Sequence, residues 1–407
     1  MLARQLAAAR QIATVGLDLV RLDYPAALYR RPPAADELPT VFCFHTAQPA
    51  PFEAVLQFFA RNGYRTLTAD QYHALMRGEG DHAERAVLLT FDDGLGQVWS
   101  VAWPLLKKYG MHATCFVIPG RVQKQPAGTC EPTLEDVWAG RATLAEVTTR
   151  DQSAQPLATW QELAAMHASG VIDIQCHSFD HRLVVTSPQI VDFVSPRGLA
   201  RFHPFEFSMF RDDAAADGVF ERPALGTPIY TSAPRLAEGR RYWPDPALAA
   251  RCVEYVASQG GAAFFARPGW RHPLRALARR HAADAPRAGA YEIEDERRAA
   301  LFLDLQRAKA LLETRLPGAQ VRHLAWPWGE GSAAAIEAAR AAGYHSCFWS
   351  KVDGRLVNRV GGDPFRLARI GEDFACSLPG AGRVPLGRVV RRKLESRLRQ
   401  ASPYLSH

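Results

Sequence analysis

The sequence predicts an α/β protein, and two observations carry that prediction. Short apolar runs with strand character alternate with Ala-rich helical stretches from Thr40 onward. Several of those runs also stop abruptly on polar, chemistry-bearing residues, as strands do at the mouth of an α/β fold. The runs are Thr40–Phe44, Ala86–Leu89, Ala113–Ile118, Val171–Gln175, Val321–Ala325, His345–Trp349 and Phe365–Ile370. Helices are expected between them at Pro51–Asn62, Trp99–Tyr109, Ala158–Ser169 and Ala333–Ala342. Tyr64 and Tyr344 follow Gly63 and Gly343, which mark Gly-type helix ends.

Two stretches interrupt the alternation. Residues from about 120 to 156 are polar and turn-rich and read as an insertion. A larger insertion, 186–297, carries Phe193, Phe202, Phe205, Phe207, Phe210, Tyr230, Tyr242, Trp243, Phe264, Phe265 and Trp270. Rings at that density either form the insertion's own small core or line a sugar site, because flat apolar ring faces suit sugar C–H faces. The barrel-forming parts are then 40–185 and 298–378. Outside them lie 1–39, an amphipathic helix (Leu2 to Leu22) with a Pro- and Arg-rich linker, and 379–407, which holds a basic helix at Arg388–Arg399. That helix places Val390, Leu394 and Leu398 on one face, so it suits either an anionic membrane surface or a solvated end.

Composition narrows the function classes. The chain has 407 residues, 47% hydrophobic and 22% charged, enough for a full-sized core and unlike a disordered protein. A net charge of +7 is mild at this length, and no RNP-like motif or zinc-finger spacing accompanies it, so no nucleic-acid partner is expected. Seven scattered cysteines form no CxxC pair and no even disulfide framework, which suits a reducing compartment. Arg4 and Arg10 break the apolar residues at the start, so no secretory signal is read there, and no run is long enough to span a bilayer. A cytoplasmic protein is expected, peripheral to the inner face of the membrane if the terminal helices bind there.

Three motifs carry chemistry. In Ala86-Val-Leu-Leu-Thr-Phe-Asp-Asp-Gly94 a strand runs into paired carboxylates. Adjacent strand residues point to opposite faces, so Asp92 and Asp93 share a site only if the chain bends there. Such a pair can divide two tasks, binding a cation and accepting a proton from water, although Asp-Asp-Gly is also a common turn. Val171-Ile-Asp-Ile-Gln-Cys-His-Ser-Phe-Asp-His181 ends on His177 and His181, a spacing that puts both imidazoles on one face of a helical turn. Two histidines with a carboxylate make an open zinc-type site. Val321-Arg-His-Leu-Ala-Trp-Pro-Trp-Gly329 ends in a rigid turn that could offer a backbone N–H to an oxyanion or merely pack two tryptophans.

In this order, Thr90-Phe91-Asp92-Asp93-Gly94, His177-Ser178-Phe179-Asp180-His181 and Trp326-Pro327-Trp328-Gly329 resemble the signature motifs of the NodB-homology polysaccharide deacetylases, carbohydrate esterase family 4. Thr40-Val-Phe-Cys-Phe-His45 and Phe59-Ala-Arg-Asn-Gly-Tyr-Arg-Thr-Leu-Thr68 are similar to the opening of the poly-N-acetylglucosamine deacetylase subgroup. The resemblance covers about 40–120, 157–185 and 300–375, and implies a distorted (β/α) barrel with its site at the C-terminal ends of the strands. It implies that Asp93, His177 and His181 bind a divalent metal, zinc by default, that Asp92 is the general base, and that the Trp328 N–H helps hold the oxyanion. The implied reaction is metal-dependent removal of an N-acyl group, acetyl first, from an amino sugar or a lipid-linked or nucleotide-linked glycan precursor. The alternatives are a hydrolase of a non-sugar amide and a catalytically silent glycan-binding barrel. Two departures stand out. Ala325 occupies the place of the family's base-orienting Arg, for which Arg366 or Arg369 could substitute. The usual Leu-x-His acid is also not evident, leaving His45 as the choice and His323 as its rival.

Overall fold

The computed structural model describes residues 24–29, 33–80, 85–122, 130–152, 156–200, 208–210, 222–285 and 289–400, without the side chains of 394 and 396–400. The helix expected over Leu2–Leu22 lies outside the described residues, as do Phe202, Phe205 and Phe207. Thirteen strands are present among them: β1 (Thr40–Phe44), β2 (Arg65–Leu67), β3 (Ala86–Phe91), β4 (Ala113–Val117), β5 (Ile172–Cys176), β6 (Leu183–Phe193), β7 (Pro228–Pro234), β8 (Tyr242–Trp243), β9 (Ala290–Tyr291), β10 (His323–Ala325), β11 (Ser346–Trp349), β12 (Leu367–Ala368) and β13 (Ile370–Gly371).

The chain divides into two compact units. The first comprises 1–179, 307–329 and 343–407. Its strands run in the order β12-β11-β10-β5-β4-β3-β1-β13, with β2 also on β3, and every pairing is parallel. Only Arg369 separates β12 from β13, the two ends of that path, so the sheet curls into a nearly closed barrel of eight parallel strand segments. Parallel strands covered on both sides read as continuous apolar runs, and β3 is buried at all of its positions. Leu67, Tyr72, Leu88, Phe116, Phe348 and Leu367 belong to one buried core cluster.

The surrounding helices start where their sequences direct. Pro49 opens Pro49–Arg61, and Thr68 caps Ala69–Met76 through a capping box with Gln71. Thr159 does the same for Trp160–Ala168 with Glu162. Two strands and one helix differ from expectation. At three residues, β2 is too short to show an alternation. The Trp99–Tyr109 helix is preceded by a π-turn at Val98–Ala102 and becomes α-helical only from Trp103. The last strand is split at Arg369, where the backbone passes from pairing with β11 to pairing with β1.

Glu162 also closes a buried ion pair. Both of its oxygens lie 3.1 Å from the Arg150 guanidinium, and the two side chains are 0% and 6% exposed. Removing one partner strands the other charge. Arg150→Met is therefore expected to lower stability by roughly 3–5 kcal/mol, read from urea unfolding; a change below about 1 kcal/mol, the worth of an exposed pair, would show that water reaches Glu162.

The second unit comprises 180–306 and 330–342. Antiparallel β6 and β7 form a ribbon, as do β8 and β9. Phe193, Leu248, Cys252, Val256, Phe264 and Leu274 form a buried core, with Phe265 and Trp270 packed against it. The insertion's aromatics thus divide. Some make the small core, whereas Tyr230, Tyr242 and Trp243 do not belong to it. At the C-terminus, the helix Leu386–Gln400 buries Val389 and sets Lys393 3.0 Å from Asp373. Among the described residues no helix is long and apolar enough to cross a membrane.

Candidate active site

The C-terminal ends of parallel strands deliver the site residues. β1 ends at Phe44 and is followed by His45, β3 by Asp92 and Asp93, β5 by His177, and β10 by the Trp326–Gly329 turn. The β-ladder continues one step beyond two of these strands: the Asp92 N–H donates to Phe44 O at 2.9 Å and the His177 N–H to Val117 O at 2.8 Å. Asp92 and His177 therefore start from rigid strand ends.

From there the backbone bends. Asp93 (φ 70°), Ser178 (φ 62°), His181 (φ 53°) and Trp328 (φ 60°) all adopt left-handed conformations. Asp353 is the only other described non-glycine residue that does so. Such conformations are costly for L-residues and gather where geometry is imposed for function. At Asp93 the bend lets neighbouring carboxylates turn to one side. At His177–His181 it corrects the sequence expectation, because the two histidines meet through a left-handed bend and not on one face of a helical turn. Gly329 completes the third turn at φ 72°; a Cβ there would lie 2.4 Å from Ser350 Oγ.

Asp93, His177 and His181, all buried, each offer a ligand atom within 4.8 Å of the other two. His177 Nδ1 lies 2.8 Å from Ala325 O. A carbonyl only accepts, so Nδ1 carries the hydrogen, and Nε2, 3.5 Å from Asp93 Oδ1, is left as the coordinating nitrogen. One carboxylate and two imidazoles, one of them fixed in its tautomer, fit a divalent metal of the zinc type.

Asp92 has a different environment. Arg369 Nη1 donates to its Oδ1 at 2.6 Å and Nη2 to its Oδ2 at 2.7 Å, and Nη1 also reaches Thr90 Oγ1 at 3.2 Å. Asp92 is 3% exposed and Arg369 also 3%. Burial pushes the Asp92 carboxyl up, but the Arg369 guanidinium and then His177 outweigh it and hold the group well below the usual carboxylate range. Arg369 therefore supplies the charge that Ala325 cannot. Arg366, by contrast, pairs with Asp353 at 2.6 Å. Arg369→Met is expected to lower kcat/KM by ~10–100-fold. Without the guanidinium, burial raises the Asp92 pKa, so the acid limb of the kcat/KM profile should move to higher pH. An unmoved limb with reduced activity would assign Arg369 a purely structural role.

The remaining candidates separate clearly. His45 is exposed and lies with Cys43 and Asp92 in a second group whose ligand atoms all fall within 4.8 Å. Cys43 is a site residue the motifs did not name. Its thiol lies 3.5 Å from Asp92 Oδ2, and burial pushes its pKa well up despite Arg369, so it stays a neutral donor. Its signal was available: Cys43 and His45 share a strand face by the two-residue period, and Cys43 pairs in register with Thr90. His323 sits at the start of β10, where Nδ1 lies 2.8 Å from Ser346 Oγ and Nε2 3.1 Å from Asp70. Those partners occupy both ring nitrogens, which sets His323 aside as the rival acid.

A nearly closed parallel barrel thus carries carboxylates and imidazoles at the C-terminal mouth of its strands. The polysaccharide deacetylase family model matches residues 79–193, the stretch that holds Asp92, Asp93, His177 and His181. A Bacillus subtilis (strain 168) protein, YxkH, named as a polysaccharide deacetylase, is 43% identical over 67 residues, which is 16% of this chain and 24% of that protein's length. Among solved structures, the deacetylase domain of BpsB from Bordetella bronchiseptica is 17% identical with a TM-score of 0.51, covering 83% of this chain and 98% of that one. IcaB from Ammonifex degensii is 19% identical with a TM-score of 0.46, covering 84% and 94%.

Proposed function

We propose that the chain removes an N-acetyl group from an amino sugar by metal-dependent hydrolysis. The observation that carries this reading is the pairing of an Asp-His-His ligand triad with a separate carboxylate, Asp92, kept ionised by Arg369. Asp93, His177 and His181 would hold a divalent cation, zinc by default, which when bound supplies Lewis-acid polarisation of the amide carbonyl.

The chain's own residues perform the rest. Asp92, anchored on both oxygens, accepts the proton of the water that attacks the carbonyl carbon. Its low pKa makes it a weak base, so position and not basicity carries the role, and Arg369 and Cys43 fix that position. The Trp328 N–H, presented by the left-handed turn, donates to the developing oxyanion. His45, the exposed member of the group, returns a proton to the leaving nitrogen.

Substrate class is the finer part of the proposal. The odd, scattered cysteines favour a cytoplasmic location, and with it a lipid-linked or nucleotide-linked precursor over a secreted polymer. The amphipathic pattern of residues 2–22 and the basic helix Leu386–Gln400 suit a peripheral membrane enzyme. Flotation with anionic liposomes should be lost on deleting residues 1–22, and unchanged flotation would remove the membrane part of this reading. Release of acetate and of formate, measured across free, nucleotide-linked, lipid-linked and polymeric N-acyl amino sugars, tests the class directly. Release from none of them, with metal bound, would move the assignment to a non-sugar amide.

A further inference from the structure

The second unit carries a cleft that the deacetylase reading does not use. It has a volume of about 500 Å³ and is lined by Tyr230, Tyr242, Tyr291, Asp245, His281 and Arg279, among others. A smaller cavity of about 170 Å³ shares Tyr230, Tyr242 and Asp245 with it. The lining lies within 180–306, and the residues named here fall outside the 79–193 segment that matches the family, which contributes Pro188 and Ile190 to the cleft.

The rings are held in place. Tyr242 and Tyr291 pair across β8 and β9, with centroids 5.0 Å apart and planes tilted by 57°. Gly289, at φ 95°, makes room for this, since a Cβ there would lie 2.1 Å from Tyr242 Oη. The next residue, Glu292, accepts from Arg235 Nη1 and Nη2 at 2.7 and 2.8 Å and from the Arg241 N–H at 2.6 Å. The edge of the cleft is therefore a rigid platform. Yet Tyr291 is 44% exposed, Trp243 37% and Ile293 58%, three of the seven large hydrophobics that stand exposed among the described residues. The Arg240 guanidinium covers the Tyr291 ring at 5.4 Å and Arg241 the Trp243 ring at 3.3 Å.

Polar groups face the same space. His281 is 8% exposed, and its Nε2 lies 3.0 Å from Asp245 Oδ2, off the alignment of a hydrogen bond. Asp245 Oδ1 is taken by the Ala247 N–H at 2.9 Å, where it caps the helix Pro246–Ser258. The other ring nitrogen of His281, Nδ1, lies 3.4 Å from Arg251 Nη1, so the imidazole is held between Arg251 and Asp245. A carboxylate oxygen of Asp245 with remaining acceptor capacity thus stands beside exposed rings. An acyl chain would gain nothing from that carboxylate, imidazole and guanidinium. A saccharide uses both kinds of surface, with its C–H faces on the rings and its hydroxyls on the polar groups.

We propose that this cleft is a saccharide-binding site, built on Tyr230, Tyr242 and Tyr291 with Asp245 as hydroxyl partner. The test is calorimetry of the full chain with an N-acetylglucosamine tetramer, in an Asp92→Asn background so that the ligand is not consumed. Tryptophan emission, to which Trp243 at the rim contributes, is recorded in parallel. Two further variants isolate the cleft. Tyr291→Ala removes an exposed ring, and Ala282→Trp fills the cleft from an exposed position on the helix Arg271–Asp284. Each should weaken one saturable binding event by about tenfold or more. Binding equal to the parent in both variants, or no saturable binding in the parent, would overturn the proposal. So would loss of anionic-vesicle binding in Tyr291→Ala with tetramer binding intact, which would make the edge a membrane-docking surface. Because only binding is read, a failure here is distinct from a failure to release acetate.

Discussion

Asp92→Asn is expected to lower kcat by ~10²–10⁴-fold, the range for loss of a positioned general base, while the protein keeps its metal. Asn preserves the shape of the side chain and can still accept from Arg369 through its amide oxygen. It cannot take a proton from water. The substitution leaves Asp93, His177 and His181 intact, so metal content measured on the purified variant should match that of the parent. Because Arg369 is buried and loses its charged partner, some stability is lost as well, and thermal unfolding must show that the variant is folded at the assay temperature. Full turnover in a folded, metal-replete variant would remove Asp92 from the mechanism.

His177→Ala should have the complementary signature. It deletes one of the three ligand atoms together with the Nδ1–H to Ala325 O bond that sets the tautomer. Losing an outer-shell partner of a metal costs up to about 100-fold in affinity, and losing the ligand itself should exceed that. Metal content after dialysis should fall to background, and activity with it. High metal concentrations should restore part of the activity, since the other two ligands and Asp92 remain. Unchanged metal content would mean that the cation sits elsewhere, and the second group, Cys43, His45 and Asp92, would be the place to look.

Most of the barrel was legible because parallel strands covered on both faces must be apolar throughout. β1 begins and ends where its apolar run does, and β3 and β5 differ from the expected strands by one or two residues at an end. Short β2 and the split β12–β13 pair were not legible. Three residues carry no period, and the break at Arg369 comes from a change of pairing partner between strands distant in sequence. The site followed the same division. Asp92, Asp93 and His177 stand at strand ends that sequence alone reveals, with His181 in the loop beyond β5. The left-handed bends that gather them depend on tertiary context, since nothing in Ser178 or Trp328 as residue types announces a positive φ. Arg369 could be named as a substitute for the charge missing at Ala325, but only the closure of β13 onto β1 shows why it and not Arg366 reaches Asp92. Among the insertion's aromatics, rings in the core and rings on the cleft have the same composition and differ only in where the ribbons place them.

The most direct test of the central claim is acetate release from an N-acetylglucosamine oligomer by protein stripped with a chelator and then reconstituted with zinc. Release should disappear on stripping and return on reconstitution, and His177→Ala should remain inactive at the same zinc concentration. Undiminished release from protein shown to be metal-free would contradict it.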